Sequence, residues 1–318
     1  MAVELTKQPN PIPAPQLKRA TLNDGTLRLL VVDTWGSEDV GVIADIFPNA
    51  TFKNIPTPYR TTGRMHSHGI NVAFSALSQI SKTKKVEVSF YRVFDSNGHP
   101  YKKFESWMDV MAEYKPHAAV CSFGTHHTNS SRQIGMLNKI YGKRYQDYLC
   151  KKIYESGCVV FAAAGNEDST KGFDAVRGHQ VDFDNDVGYP WRTSNCGNLA
   201  VIGAVDSNNK PAHFSSDGSQ VDSAWLGVYV PVVMPDGRKL RINGTSFAAP
   251  IAAGYYLDRG FNNFEQFDAH CFKKAYRAEG WNYKLKHPKV GWGSMYPWQR
   301  NMEADESSPI LSEWKNLL

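Results

Sequence analysis

Cysteine is scarce in this chain, with five residues among 318: Cys121, Cys150, Cys158, Cys196 and Cys271. Their number is odd, their spacing is wide and no two form a Cys-x-x-Cys pair. Neither a disulfide scaffold nor a structural zinc site is expected. Apolar runs are short as well, and none approaches the roughly 20 residues that a membrane-spanning helix needs. The opening stretch MAVELTKQPNPIPAPQLKRA is polar and proline-rich and lacks the apolar core of a secretory leader. A cytoplasmic or otherwise intracellular location is therefore expected, with leaderless export as the other route. No charge of either sign is in large excess: 36 basic residues against 31 acidic ones leave +5. The late lysines of CFKKAYRAEGWNYKLKHPK read as a solvated face, because no nucleic-acid motif accompanies them.

What the chain does have is enough apolar residue, 42%, for one large core or two smaller ones. Five short apolar segments read as buried strands: TLRLLVVD (26–33), VEVSFYRVF (86–94), AAVCSF (118–123), CVVFAAA (158–164) and LAVIGAV (199–205). Helical stretches separate several of them: HGINVAFSALSQI (68–80), FESWMDVMAEY (104–114) and RQIGMLNKIYGKRYQDYLCKKIYES (132–156). In the last, Ile134, Leu137, Tyr141, Tyr145, Tyr148 and Ile153 recur at roughly helical spacing, although Gly142 interrupts it. Strands alternating with helices imply parallel pairing through right-handed crossovers. The expected fold is α/β: a three-layer, doubly wound, mainly parallel sheet with one continuous core. Such sheets carry their chemistry at the carboxyl ends of the strands, where Asp33, Ser122, Gly124, Gly165 and Asn166 fall.

Four residues acquire meaning at those ends. Ser246 follows a Gly-Thr turn and precedes a run of small residues, so it stands among the unpaired N–H groups of a helix start. Those groups can stabilise an oxyanion, although a serine there is also a common N-cap. Pro250, in the first turns of the same helix, sits where a missing N–H costs least. His68 opens another helix and could serve as a base. The neighbouring His66 and the pair His126 and His127 lack a third ligand at metal-binding spacing, and HExxH is absent. Asp33 ends an apolar strand, an expensive place for a lone charge. It either orients an imidazole or caps the next turn. Asn166 offers an amide donor or an ordinary Gly-Asn turn.

Taken together, the order Asp33, His68, Asn166, Ser246 resembles that of the subtilisin-like serine proteases. VVDT resembles the family's Asp segment, SHGINVA its His segment, AAAGNE its oxyanion-asparagine segment and NGTSFAAP its nucleophile segment with its proline. Weaker likenesses lie in VSFYRVFDSNG, CSFG, the stretch 187–218 and GWGSMYP, so the resemblance runs over about residues 25–295. It implies a peptidase domain over 26–298, preceded by an arm (1–25) and followed by a tail (299–318). Trp35 stands where the family has glycine, Ile70 and Asn71 replace its Thr-His, and WLG (225–227) replaces its Ala-Pro-Gly. These departures bear on the shape of the substrate cleft.

The resemblance implies a serine endopeptidase with Asp33, His68 and Ser246 as the triad and Asn166 in the oxyanion hole. Substrate would pair with Ser122, Phe123 and Gly124, and a pocket walled by Ala162, Ala163, Ala164 and Gly165 would take its side chain. Small walls suit a large or apolar group, and Glu167 beside them would favour a basic one. The expected partner is a protein or peptide, and neither nucleic acid nor membrane. No cofactor is required. SALSQISKTKKVEVSF is too short for the family's calcium loop after the His helix; a structural calcium elsewhere stays compatible with the sequence. Asp182, Asp184 and Asp186 lack EF-hand spacing and read as a solvated acidic loop. The arm KQPNPIPAPQLKR either lies across the cleft or is a disordered leader. Two other readings stand beside this one: a catalytically silent binding or structural module, and a serine-carboxyl peptidase, against which His68 speaks.

Overall fold

The computed structural model describes residues 25–34, 40–57, 67–94, 105–124, 139–166, 187–188, 190–191, 196–216, 218, 220–275, 291 and 295. The readings of the arm, the tail, Trp35, His66, His126, His127, Glu167 and the Asp182–Asp184–Asp186 loop lie outside these residues.

Among the described residues seven strands form one sheet: β1 (Leu27–Asp33), β2 (Ala50–Asn54), β3 (Val86–Arg92), β4 (Ala118–Cys121), β5 (Val159–Ala163), β6 (Leu199–Val205) and β7 (Val221–Leu226). Their order is β2-β3-β1-β4-β5-β6-β7, and each adjacent pair is parallel. Two further strands, β8 (Val230–Val233) and β9 (Lys239–Ile242), make a separate antiparallel pair. The helices with described bounds include α1 (Val42–Ile46), α2 (His68–Leu77), α3 (Ser106–Tyr114), α4 (Lys143–Ser156), α5 (Thr245–Arg259) and α6 (Phe264–Lys274). The doubly wound α/β sheet expected from the alternation is thus the architecture found.

The central strands β1, β4, β5 and β6 are apolar nearly throughout because both faces of the sheet are covered there. Alternation along each strand then divides the core. Leu29, Val31, Val88, Val120 and Phe161 face α2, α5 and α6. Leu30, Val32, Ala119, Cys121, Val160 and Ala162 face α3 and α4 through Trp107, Met108, Leu149 and Ile153. The single core expected from the sequence is therefore two layers, one on each side of the sheet. Helix α4 begins directly after Gly142, which is extended at φ −71° and ψ −170°, so that glycine marks the helix start.

The cysteines partly depart from expectation. Cys150 on α4 is cross-linked to Cys196, with Cα atoms 5.3 Å apart. Cys121, Cys158 and Cys271 are buried. A partner 46 residues away gives no local spacing signal, which is why the pair is invisible in the sequence. No helix among the described residues is long and apolar enough to cross a membrane.

Two buried helices, α2 and α5, meet almost backbone to backbone. Ala248, Ala249, Ala252 and Ala253 are buried on α5. A Cβ added to Gly254 would stand 2.0 Å from the Ala76 carbonyl oxygen of α2. Since α2 starts at His68 and α5 carries Ser246 in its first turn, this contact sets the distance between the two residues. Gly254→Ala should force the helices apart and destabilise the protein by about 1–3 kcal/mol, the usual cost of overpacking. Thermal unfolding measures this, and a variant melting like the wild type would show that the close approach is dispensable.

Candidate active site

Asp33 is the last residue of β1, and its side chain is only 3% exposed. A carboxylate there needs donors, since burial without them is costly. It receives the backbone N–H of Thr34 (2.7 Å to Oδ1), the Thr34 hydroxyl (3.0 Å to Oδ1) and the ring of His68. His68 Nδ1 lies 2.8 Å from Oδ1 and 3.0 Å from Oδ2. An ionised carboxylate only accepts, so Nδ1 carries the hydrogen and leaves Nε2 as the acceptor. Burial alone would make the imidazole harder to protonate. The charge of Asp33 and its hydrogen bond outweigh that, and His68 is raised above the ordinary value of 6.5. The other side of the ring meets Phe247, with centroids 5.5 Å apart.

Helix α5 supplies the second half of the site. Its N-cap is Gly244, and Ser246 is its second residue. The N–H of Ser246 therefore belongs to the first turn, where no intrahelical acceptor exists. Pro250 is the sixth residue of the helix, in its second turn, one of the first turns as expected. It lies past the N–H groups that lack an intrahelical acceptor, so its missing N–H is not the costless one expected. Its missing N–H is the one that would have bonded the Ser246 carbonyl. That carbonyl instead accepts the Ser122 hydroxyl at 2.8 Å. In return the Ser246 hydroxyl donates to the Ser122 carbonyl at 3.3 Å. The proline thus frees an acceptor that ties the start of α5 to the end of β4.

Asn166 follows β5, and its Oδ1 accepts both the N–H (2.9 Å) and the hydroxyl (3.0 Å) of Thr245. The Thr245 hydroxyl also accepts the Gly165 N–H at 3.1 Å. With Oδ1 committed to Thr245, the amide Nδ2 is the donor end of Asn166. It lies beside Gly244, 3.5 Å from where a Cβ on that glycine would stand. Gly165 itself has φ +121°, and a Cβ there would sit 2.7 Å from Ser216 Oγ, so no other residue fits.

The sequence-derived residues accordingly fall in three linked pairs at one edge of the sheet. Asp33 is bonded to His68, Ser122 to Ser246, and Asn166 to Thr245, the neighbour of Ser246. Phe123 and Gly124 continue from β4, and Ala162, Ala163, Ala164 and Gly165 lie on β5 or directly beyond it. Thr34, Thr245 and Phe247 organise the site and were not singled out from the sequence. The two threonines nevertheless stand inside the quoted VVDT and NGTS segments. Two buried thiols, Cys121 at the end of β4 near this edge and Cys158 directly before β5 at the opposite edge, do not compete as nucleophiles. Burial pushes Cys121 well up, with a further contribution from the charge of Asp33, and pushes Cys158 up to about 12. Among the described residues no cluster of three His, Cys, Asp or Glu could hold a metal ion.

The chain belongs to the subtilase family, whose model, Peptidase_S8, matches residues 45–257. It is similar to Subtilisin DY of Bacillus licheniformis, 40% identical over 103 residues that cover 32% of each chain. It is also similar to an intracellular serine protease of Paenibacillus polymyxa, 30% identical over 105 residues covering 33% of this chain and 28% of that one. The matched stretch thus spans about a third or less of the length of these curated relatives. The fold resembles that of a cold adapted subtilisin-like serine proteinase, with TM-score 0.58, 19% identity and coverage of 86% of this chain and 89% of that one. It also resembles the prenylagaramide maturation protease PagA, with TM-score 0.57, 18% identity and coverage of 84% and 90%.

The Asp33–His68 pair has a measurable signature. Its raised imidazole pKa means that the pair adds stability fully below the unfolded pKa of histidine. That contribution is lost as pH rises through the higher folded value. Asp33→Asn removes the charge, so His68 should titrate at lower pH than in the wild type. Nitrogen-15 NMR of the imidazole reads this directly, and an unchanged titration would show that Asp33 does not govern His68.

Proposed function

We propose that this subtilase is a serine endopeptidase acting on protein or peptide substrates. The observation that carries the reading is the two-oxygen contact between Asp33 and His68 Nδ1, which leaves the opposite ring nitrogen a base. In the proposed reaction the Ser246 hydroxyl turns from the Ser122 carbonyl toward His68. His68 Nε2 takes its proton while Oγ attacks the scissile carbonyl. Asp33 keeps the imidazole in the tautomer needed and stabilises its charged form. Asn166 Nδ2 and the Ser246 N–H receive the negative oxygen. His68 then gives its proton to the departing amine, and water repeats the cycle on the acyl-enzyme to release the acid.

Substrate is proposed to lie extended beside Ser122, Phe123 and Gly124, adding its backbone to that edge. Its side chain enters between that edge and Ala162, Ala163, Ala164 and Gly165. No metal or cofactor takes part in the proposed steps. The silent-module alternative gains nothing from the geometry, because a buried acid–imidazole pair beside a helix-start serine has no scaffold role that apolar residues would not fill better.

A fluorophosphonate probe should label Ser246, and labelling should vanish in Ser246→Ala; an unlabelled, folded wild type would refute the reading. Asn166→Ala should lower kcat by about 10²–10³-fold, the usual effect of losing one oxyanion donor. The rate should fall on the acid side as His68 protonates, with the limb above the ordinary 6.5. A pH–rate profile with its optimum in acid would overturn the assignment of His68 as base.

A further inference from the structure

The segment Ser122, Phe123 and Gly124 begins where β4 ends, just past Cys121, the last residue of β4 in register with β1 and β5. A short edge of this kind binds a peptide well only if something else fixes its backbone. One fixture is the Ser122 hydroxyl on the Ser246 carbonyl. Another comes from outside the sheet: the indole N–H of Trp191 donates to the Phe123 carbonyl at 2.5 Å. The Phe123 ring packs on the same tryptophan, with centroids 5.5 Å apart, and on Trp107 and Phe94. Successive peptide groups of an extended chain point in opposite directions. With the Phe123 carbonyl turned in to Trp191, the flanking Ser122 carbonyl faces the other way, where it meets the Ser246 hydroxyl.

Trp191 is fully buried and lies in a stretch anchored at several points. The Gly188 N–H donates to the Ala164 carbonyl at 2.9 Å, beside the proposed pocket wall. The Pro190 carbonyl accepts Gln146 Nε2 at 3.4 Å. Cys196 is bonded to Cys150, and the Gly197 N–H donates to the Tyr154 hydroxyl at 3.3 Å. Gln146, Cys150 and Tyr154 are each four residues apart on α4, so they form one stripe along it. That stripe grips the stretch on both sides of Trp191, and Trp191 grips the substrate edge.

We propose that Trp191 is a positioning residue for extended substrates: anchored through α4, its indole fixes the Phe123 carbonyl and so presents the Ser122–Gly124 backbone in its binding orientation. This rests on the peptidase reading. The test is therefore run in two stages on the full chain. Labelling of wild-type Ser246 by a fluorophosphonate comes first, and its failure would end the peptidase reading and this proposal with it. Given labelling, Trp191→Phe keeps an aromatic ring and removes the donor. KM for a tetrapeptide amide should rise roughly 3- to 10-fold, the worth of one net hydrogen bond, while kcat on a short ester moves far less. A folded Trp191→Phe with wild-type KM overturns the proposal. If that variant does not fold, Cys150→Ser takes its place. It removes one of these anchors and leaves the indole, so KM should rise in the same sense by less, and an unchanged KM overturns the anchoring of Trp191 through α4.

Discussion

A carboxylate at the end of a buried strand must find donors or raise the free energy of the fold, and Asp33 organises this molecule through that requirement. Thr34 supplies two donors from the next residue, and His68 supplies the third from the start of α2. The imidazole can be there only because α2 lies across the sheet at a fixed depth. That depth is set by its backbone contact with α5 at Ala76 and Gly254. The same contact places the first turn of α5, and Ser246 with it, at the same edge. Core packing and site geometry are thus one constraint viewed from two ends.

Pro250 shows how a residue unfavourable in isolation becomes useful in context. Inside a helix it removes one hydrogen bond and leaves one carbonyl without a donor. Here the orphaned carbonyl belongs to Ser246, and the Ser122 hydroxyl satisfies it. The loss is local, and the replacement bond joins two parts of the chain 124 residues apart. Thr245 performs a similar service on the other side, linking the Gly165 N–H to Asn166 Oδ1 through one hydroxyl.

The central strands were legible because burial on both faces leaves a continuous apolar run, as in LRLLVVD and LAVIGAV. The peripheral strands were not. In β2 the residues Thr51 and Lys53 are exposed, and in β9 so are Lys239, Leu240 and Arg241. Exposure dilutes the apolar signal that marks the others. β7 was hidden differently: Asp222 interrupts its pattern, yet its carboxylate accepts the Val201 N–H across a register shift in the pairing with β6. At the site, Asp33, His68, Asn166 and Ser246 stood out because each sits at a strand end or helix start in a recognisable segment. Trp191 gave no such signal, since its importance lies in a contact with a carbonyl 68 residues away. Cys150 and Cys196 were silent for the same reason.

Disulfides persist in oxidising compartments rather than in a reducing cytoplasm, and the Cys150–Cys196 cross-link is a bond of that kind. It changes what a nick would do. A chain cut once between Cys150 and Cys196 remains a single covalent object, with the fragment bearing Asp33 and His68 still fastened to the one bearing Ser246. Self-digestion in that interval would therefore leave a two-chain form whose halves stay in register, and only a reductant would let them part.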